Sequence, residues 1–343
     1  MFYIHQTTCI SPQQTFSNID LDILNDVTDN KMKVVEPSYE GIPLNILRRM
    51  GKAVRIGVGS ALPLIKQKPD GIIIGTANGG MEDCIKFLNQ IIDYDEGMLA
   101  PGNFVQSTTN AVAAQIGLMS RNTGYNITHV HRALAFENAM IDASLMLGEN
   151  PTANYLLGGL DEISAYNYNI DYLSGAYKKE KISIKDLYLL DSPGSIAGEG
   201  SAMFFVNAQK ENAIAKIEAV HTLHTDDIDL VLSQLQTFIA KNNVTGKIDL
   251  LISGENGDNR STNYYAEVEK KMNDNITIAR FKHMSGEYPT ASAFAAWMAC
   301  MILQNQHIPE HAIKKNNGLK KYERVLIYNN YKGTQHSFIL MSK

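Results

Sequence analysis

The chain has 343 residues, 44% of them hydrophobic and 20% charged, with a formal net charge of −5. That is enough apolar side chain for a large core, in one big domain or in two closely packed halves. The acidic balance argues against a nucleic-acid partner, no run approaches the roughly 18–20 apolar residues of a membrane span, and Met1–His5 lacks the basic region of a signal peptide. Cys9, Cys84 and Cys300 are far apart and show no metal or redox spacing. They read as small buried hydrophobes in a reducing cytoplasm, with no metal or cofactor expected.

Phe2–Thr7 is β-rich and ends near Ser11-Pro12, a strand then a turn. Residues 13–40 are polar and irregular. Leu44–Ile65 reads as one helix, weakened by Gly51, Gly57 and Gly59 at roughly 1 kcal/mol each against Ala, unless those glycines serve close packing. Gly71–Gly75 is a short apolar run ending in glycine, the pattern of a strand buried on both faces. The loop Thr76–Gly80 follows, then a helix from Met81 to Ile92, a loop over Pro101–Ser107 and a small-residue helix over Asn110–Ser120. After the Gly/Asn-rich loop Asn122–Asn126, Thr128–Met140 reads as a tight turn feeding a buried helix. Two imidazoles and a guanidinium, His129, His131 and Arg132, stand where that helix begins. Tyr155–Gly159 is a strand running into Leu160-Asp161-Glu162. Lys178–Lys181 is a solvated basic loop, residues 182–194 form a loop around a short apolar piece, and Gly198–Ser201 is a tight glycine turn into the strand Ala202–Val206.

The second half repeats the first in outline. Asp249–Gly254 is again a buried strand ending in glycine, Thr290–Leu303 is again a small-residue apolar helix, and Arg324–Asn330 is again a strand. Strand, loop, buried helix and strand, twice in one order, point to an internally duplicated α/β architecture.

Several landmarks together resemble the β-ketoacyl synthase family. They are Arg48-Arg49-Met50 in an early helix, Ile72–Gly80 as a strand with a "GTxxGG" turn, and Thr109–Ile116 as the helix ahead of an active-site elbow. Leu157–Glu162 resembles an "AGGxE" strand end, Gly198–Ala202 a "GEGA" turn, and Tyr331–Gln335 a closing Gly-rich loop. The resemblance implies an α/β thiolase-like fold, in which two duplicated halves, 1–207 and 208–343, form one structural unit with a five-layered αβαβα core. The family's chemistry is decarboxylative Claisen condensation. A cysteine at a helix N-terminus carries the acyl chain, two histidines bind the malonyl thioester, and a lysine supports them.

Carried over residue by residue, the resemblance breaks at the reacting groups. Counting back from Gly148 and Gly158-Gly159, the nucleophile position falls at His131. The first histidine falls at Glu255 or Asn256. The second falls at Glu287, in Lys282-His283-Met284-Ser285-Gly286-Glu287, where the supporting Lys282 is kept. An imidazole does not hold an acyl chain as a thiolate does, and carboxylates in place of imidazoles repel an enolate. No catalytic residue is therefore assigned. His131, Arg132, Glu255 and Glu287 are expected to form a buried polar network, with His129, Phe136 and Gly333 around the same pocket. A metal site of His129, His131, Glu255 and Glu287, or an acid–base pair of His131 and Glu287, stays open as an alternative.

The expected function is that of a cysteine-free, chain-length-factor-like subunit of a fatty-acid or polyketide synthase of the aryl-polyene type. Its partner is an active ketosynthase in a heterodimer, or a second copy of itself, with an acyl-carrier protein engaged indirectly and no membrane or nucleic acid. The alternative is an independent acyltransferase or hydrolase-like enzyme with a repurposed site around His131, Glu255 and Glu287.

Overall fold

The computed structural model describes residues 1–27, 29–242, 248–272, 275–319 and 321–343. Among them eleven strands form a continuous sheet: β1 (Phe2–Ile10), β2 (Gly71–Gly75), β3 (Tyr125–His129), β4 (Asn154–Asp161), β5 (Gly200–Asn207), β6 (Ala215–His224), β7 (Leu250–Ser253), β8 (Thr277–Arg280), β9 (Ile313–Lys315), β10 (Arg324–Tyr331) and β11 (Gln335–Ser342). The main helices are α1 (Lys52–Ile65), α2 (Met81–Asp93), α3 (Ala111–Ser120), α4 (Ala135–Glu149), α5 (Ala165–Leu173), α6 (Ile228–Lys241), α7 (Thr262–Lys271) and α8 (Ala291–Asn305).

The strand order shows the duplication. The first five strands lie in the order β3-β2-β4-β5-β1, with β2, β3 and β4 parallel and β5 antiparallel to both its neighbours. The later strands repeat this as β8-β7-β10-β11-β6, with β7, β8 and β10 parallel and β11 antiparallel to β10 and β6. β9 adds an antiparallel edge to β8, and β1 pairs antiparallel with β6 to join the two sets.

Side-chain alternation then builds the layers. Ile73 and Leu157 pack inward with α4, α8 and, from the second set, Leu250, Ile252 and Ile327. Ile72, Ile74 and Leu156 pack outward against α1 and α3. Leu251, Leu326 and Phe338 pack outward against α6 and α7. The result is α1/α3, first sheet, α4/α8, second sheet, α6/α7: five layers, with strands buried on both faces because helices cover both. The central α8 is apolar all round, Ala291 to Cys300 each being at most 1% exposed, as a helix between two sheets requires.

Several local expectations need correction. The helix expected over Leu44–Ile65 is two, Leu44–Leu47 and α1, separated at Gly51. A Cβ at Gly51 would overlap the Asp83 carboxylate, and Cβ atoms at Gly57 and Gly59 would run into Val112 and the Tyr39 ring, so these glycines do serve close packing. Pro101–Gln106 is a short helix with proline in its first turn, not a loop. Tyr125–His129 is a strand that the Gly/Asn-rich reading hid; its pairing with β2 supplies the order. Gly198–Ser201 is extended rather than turned. Gly198 pairs with Met32, and a Cβ on it would meet the Ser285–Gly286 backbone. β6, α6, α7, β8 and β11 were not read from the sequence at all.

Candidate active site

Two positions in the repeated frame carry the residues singled out above. One is the junction between β3 and α4. The strand ends at His129, and Arg132 opens a 3₁₀ turn that leads into α4. Arg132 has φ +48°, left-handed for a bulky L-residue, a costly conformation that tertiary contacts must hold. The hydrogen bond from Ala133 N to Gln335 Oε1, 3.1 Å, ties this elbow to β11. The strained apex is thus Arg132, one residue beyond the position counted from the glycines. His131 and Arg132 are both exposed, so they are not members of a buried network. His129 turns aside and pairs with Asp142 of α4 at 2.9 Å, while Tyr125 donates to the same carboxylate. Phe136 does not face a pocket either. It lies in the central core, stacked on Phe204 with centroids 5.7 Å apart.

The second position is the end of β7 and the turn before α8. Lys282 begins a four-residue helix closed by Gly286 at φ +70°. This turn brings Lys282 Nζ to 2.7 Å from Glu287 Oε1. Asn256, three residues past β7, donates Nδ2 to Glu287 Oε2 at 2.7 Å, and its own Oδ1 accepts from Asp258 N. Lys282 is fully buried, Asn256 and Glu287 6% exposed. The carboxylate, ammonium and amide therefore satisfy one another, with charge balanced. Of the two residues considered for the first histidine, Asn256 meets Glu287. Glu255 points elsewhere, to Arg280 and Lys314. Lys178, which sequence reasoning placed in a solvated loop, is instead buried, and its Nζ donates to Ser192 and to Gly257 O, fixing the loop that carries Asn256.

Above the Lys282–Glu287–Asn256 cluster lies a cavity of about 230 Å³, lined by Glu287, Asn256, Tyr177, Tyr331 and Gly333. Arg260 and Lys332 stand at its mouth, bonded across to Gly175 O and to Asp171. Burial pushes the Tyr177 and Tyr331 hydroxyls well above the ordinary phenol range. Gly333 lines this cavity together with Glu287, whereas His129, His131, Arg132, Phe136 and Glu255 do not. His131, Glu255 and Glu287 share no hydrogen bond or ion pair among the described residues, and no group of three His, Cys, Asp or Glu there has metal-binding geometry.

Three buried acids that the sequence reading quoted only inside motifs hold this site's frame. Asp161 accepts from Thr76 Oγ1, Ala77 N and Asn78 N, and from Thr290 N and Oγ1 at the start of α8. Glu162 accepts from Ala53 N and Glu82 N, capping α1 and α2 together. Glu199 accepts from Val34 N and Ile163 N and pairs with Lys52. Burial pushes Asp161 up to about 6 and Glu162 up to about 7, against the donors that favour the charged forms. An acid within three residues of a glycine at a strand end was the available signal.

Fold and site together define a thiolase-like α/β protein. Residues 25–172 match the family model described as beta-ketoacyl synthase, N-terminal domain. No curated protein sequence matches significantly. Among solved structures, a beta-ketoacyl synthase from Burkholderia phymatum STM815 superposes with a TM-score of 0.77 at 13% identity, covering 100% of this chain and 99% of that one. The ishigamide ketosynthase/chain length factor gives 0.78 at 13% identity, with 100% and 98% covered. The ketosynthase in complex with its chain length factor from Xenorhabdus doucetiae gives 0.77 at 11%, with 99% and 97% covered. At such identities the likeness is one of fold.

Proposed function

We propose that this chain is a catalytically degenerate β-ketoacyl synthase homologue, a chain-length-factor-like subunit that pairs with an active ketosynthase in fatty-acid or polyketide biosynthesis of the aryl-polyene type. The observation that carries this reading is the closure of Glu287 by Lys282 and Asn256. A site that must polarise a thioester needs free, oriented donors. Here the donors are spent on an internal carboxylate, and the elbow opposite carries Arg132 and His131 with no thiol. Cys9 and Cys300 are buried, and burial drives both thiols up, away from reactivity.

The pairing half of the proposal rests on β3. It is a sheet edge with its outer backbone open, and none of its side chains is buried. Val130 directly after it is 48% exposed and Leu118 on the adjoining α3 is 72% exposed. An open edge flanked by apolar side chains is a template for another chain. Solved neighbours of the same fold include ketosynthase–chain length factor complexes. We place the division between the duplicated halves at 207/208, and an acyl-carrier protein docks on the active partner. Among the described residues no helix is long and apolar enough to cross a membrane.

Co-expression with a cysteine-bearing ketosynthase from the same source tests the reading. The expected result is a stable complex of the two chains, with no release of carbon dioxide from malonyl-carrier protein by this chain alone. Enzymatic decarboxylation by the isolated chain, or its purification free of every ketosynthase offered, would overturn it.

A further inference from the structure

Behind the Lys282–Glu287 turn runs a chain of hydrogen bonds that the proposed function does not use. His311 Nε2 lies 2.7 Å from Leu21 O, His311 Nδ1 lies 2.8 Å from His283 Nε2, and His283 Nδ1 lies 3.1 Å from the Tyr188 hydroxyl. The Tyr188 oxygen in turn accepts from His283 N. A carbonyl only accepts, so His311 carries its proton on Nε2 and leaves Nδ1 bare. His283 must then carry its proton on Nε2 and accept from Tyr188 on Nδ1. The whole chain is satisfied when both rings are neutral.

These rings fasten the irregular segment after β1 onto the second half. Leu21 is gripped by His311 and Asp22 by His307, Asn25 N donates to Gln13 Oε1, and Gln13 Nε2 reaches Met284 O in the Lys282–Ser285 helix. We infer that His283 and His311 form an acid-labile clasp, which holds residues 13–25 over the back of the Lys282–Glu287 turn at neutral pH and releases them on mild acidification. A proton added to the His283 ring can go only to Nδ1, which strips the Tyr188 hydroxyl of its acceptor.

The surroundings oppose a cation. Arg280, from β8, lies over the Tyr188 ring at 3.7 Å and is itself paired with Glu255. On the His283 element, Lys282 is committed to Glu287. From the loop before β9 come His307, His311 and Glu310, and from the segment itself Asp20 and Asp22, of which Asp22 is engaged by His307 at an exposed pair. Burial, then His311 and Arg280, push the His283 ring from its ordinary 6.5 down to about 3. A lowered histidine binds its proton more readily in the unfolded or opened chain. The clasp is therefore complete above about 6.5 and weakens as pH falls below that value.

Amide hydrogen exchange on the full chain, corrected for intrinsic rates, tests this at pH 7.5 and pH 5. Protection of the amides of residues 20–25 and 284–286 should fall about tenfold or more at pH 5 while α8 stays protected. His283→Gln should remove most of the pH dependence, and His311→Gln, at the half-buried end, should keep part of it because the buried His283 ring remains. Nitrogen NMR of the imidazoles should show Nε2–H tautomers at both rings at pH 7.5. Unchanged exchange between the two pH values, an equal pH response in His283→Gln, or an Nδ1–H tautomer of His283 at pH 7.5 would overturn the clasp.

Discussion

The acids at the strand ends of the first half and the acid at the turn of the second half are all buried, but they are satisfied in different ways. Asp161, Glu162 and Glu199 accept from backbone N–H groups of loops and helix starts. Among the described residues the Glu287 carboxylate accepts only from side chains, Lys282 and Asn256. Backbone donors are present whatever the sequence, so a carboxylate that collects them fixes the path of the chain. Side-chain donors come and go with substitution. The first group therefore belongs to the frame that a thiolase-like fold requires, and the second to a position where the chemistry can be exchanged without disturbing the frame.

The largest effect should come from the frame. Asp161→Ala strands five donors from the loop after β2 and the start of α8, and a loss of roughly 3–5 kcal/mol in denaturant unfolding is expected, since each unmade buried bond costs about 1–3 kcal/mol and some donors will find water. An undiminished midpoint would remove the distinction between the two kinds of acid.

Glu287→Gln should come next, at about 3 kcal/mol, because it leaves the Lys282 ammonium buried without its counter-charge. The double variant Lys282→Met with Glu287→Leu should recover most of that loss, which would show the pair to be replaceable. A double variant worse than the sum of the singles would make Glu287 part of the frame.

The pH dependence carried by Glu162 is smaller at any single pH near neutrality. Its carboxyl is raised from 4.5 to about 7, so the folded chain binds the proton more tightly. Its contribution to stability is complete below about 4.5 and declines as pH rises towards 7. Glu162→Gln should flatten the stability profile in that window, as read from urea midpoints between pH 4.5 and 8. Lys332→Ala, which removes a partly exposed pair with Asp171 at the cavity mouth, should cost under about 1 kcal/mol.

How much of this could be read beforehand depended on how local the signal was. Ile72–Ile74 and Leu250–Ile252 announced buried strands because helices on both faces demand a continuous apolar run. The small-residue stretch before Leu303 announced a helix packed on all sides. β3 escaped because Gly124 and Asn126 imitate a loop, and only pairing with β2 makes the segment extended. β6 and β11 escaped because their order comes from each other: Phe338 and Leu340 face out while Ile339 and Met341 face in, a pattern that is complete only when β6 and β10 flank them.

For the site, the sequence by itself determined that Lys282, Gly286 and Glu287 stand in one turn, that Asn256 and Glu255 follow a buried strand, and that no cysteine lies near the start of α4. It did so because these are facts of residue identity and short-range spacing. Only the tertiary structure decided which of Asn256 and Glu255 meets Glu287, that Arg132 rather than His131 bears the strained backbone, and that both lie open to solvent beside an unpaired sheet edge. Those outcomes depend on distances between segments far apart in the chain. They were decided by the packing of α4 and α8 between two sheets, which sets where each loop must end.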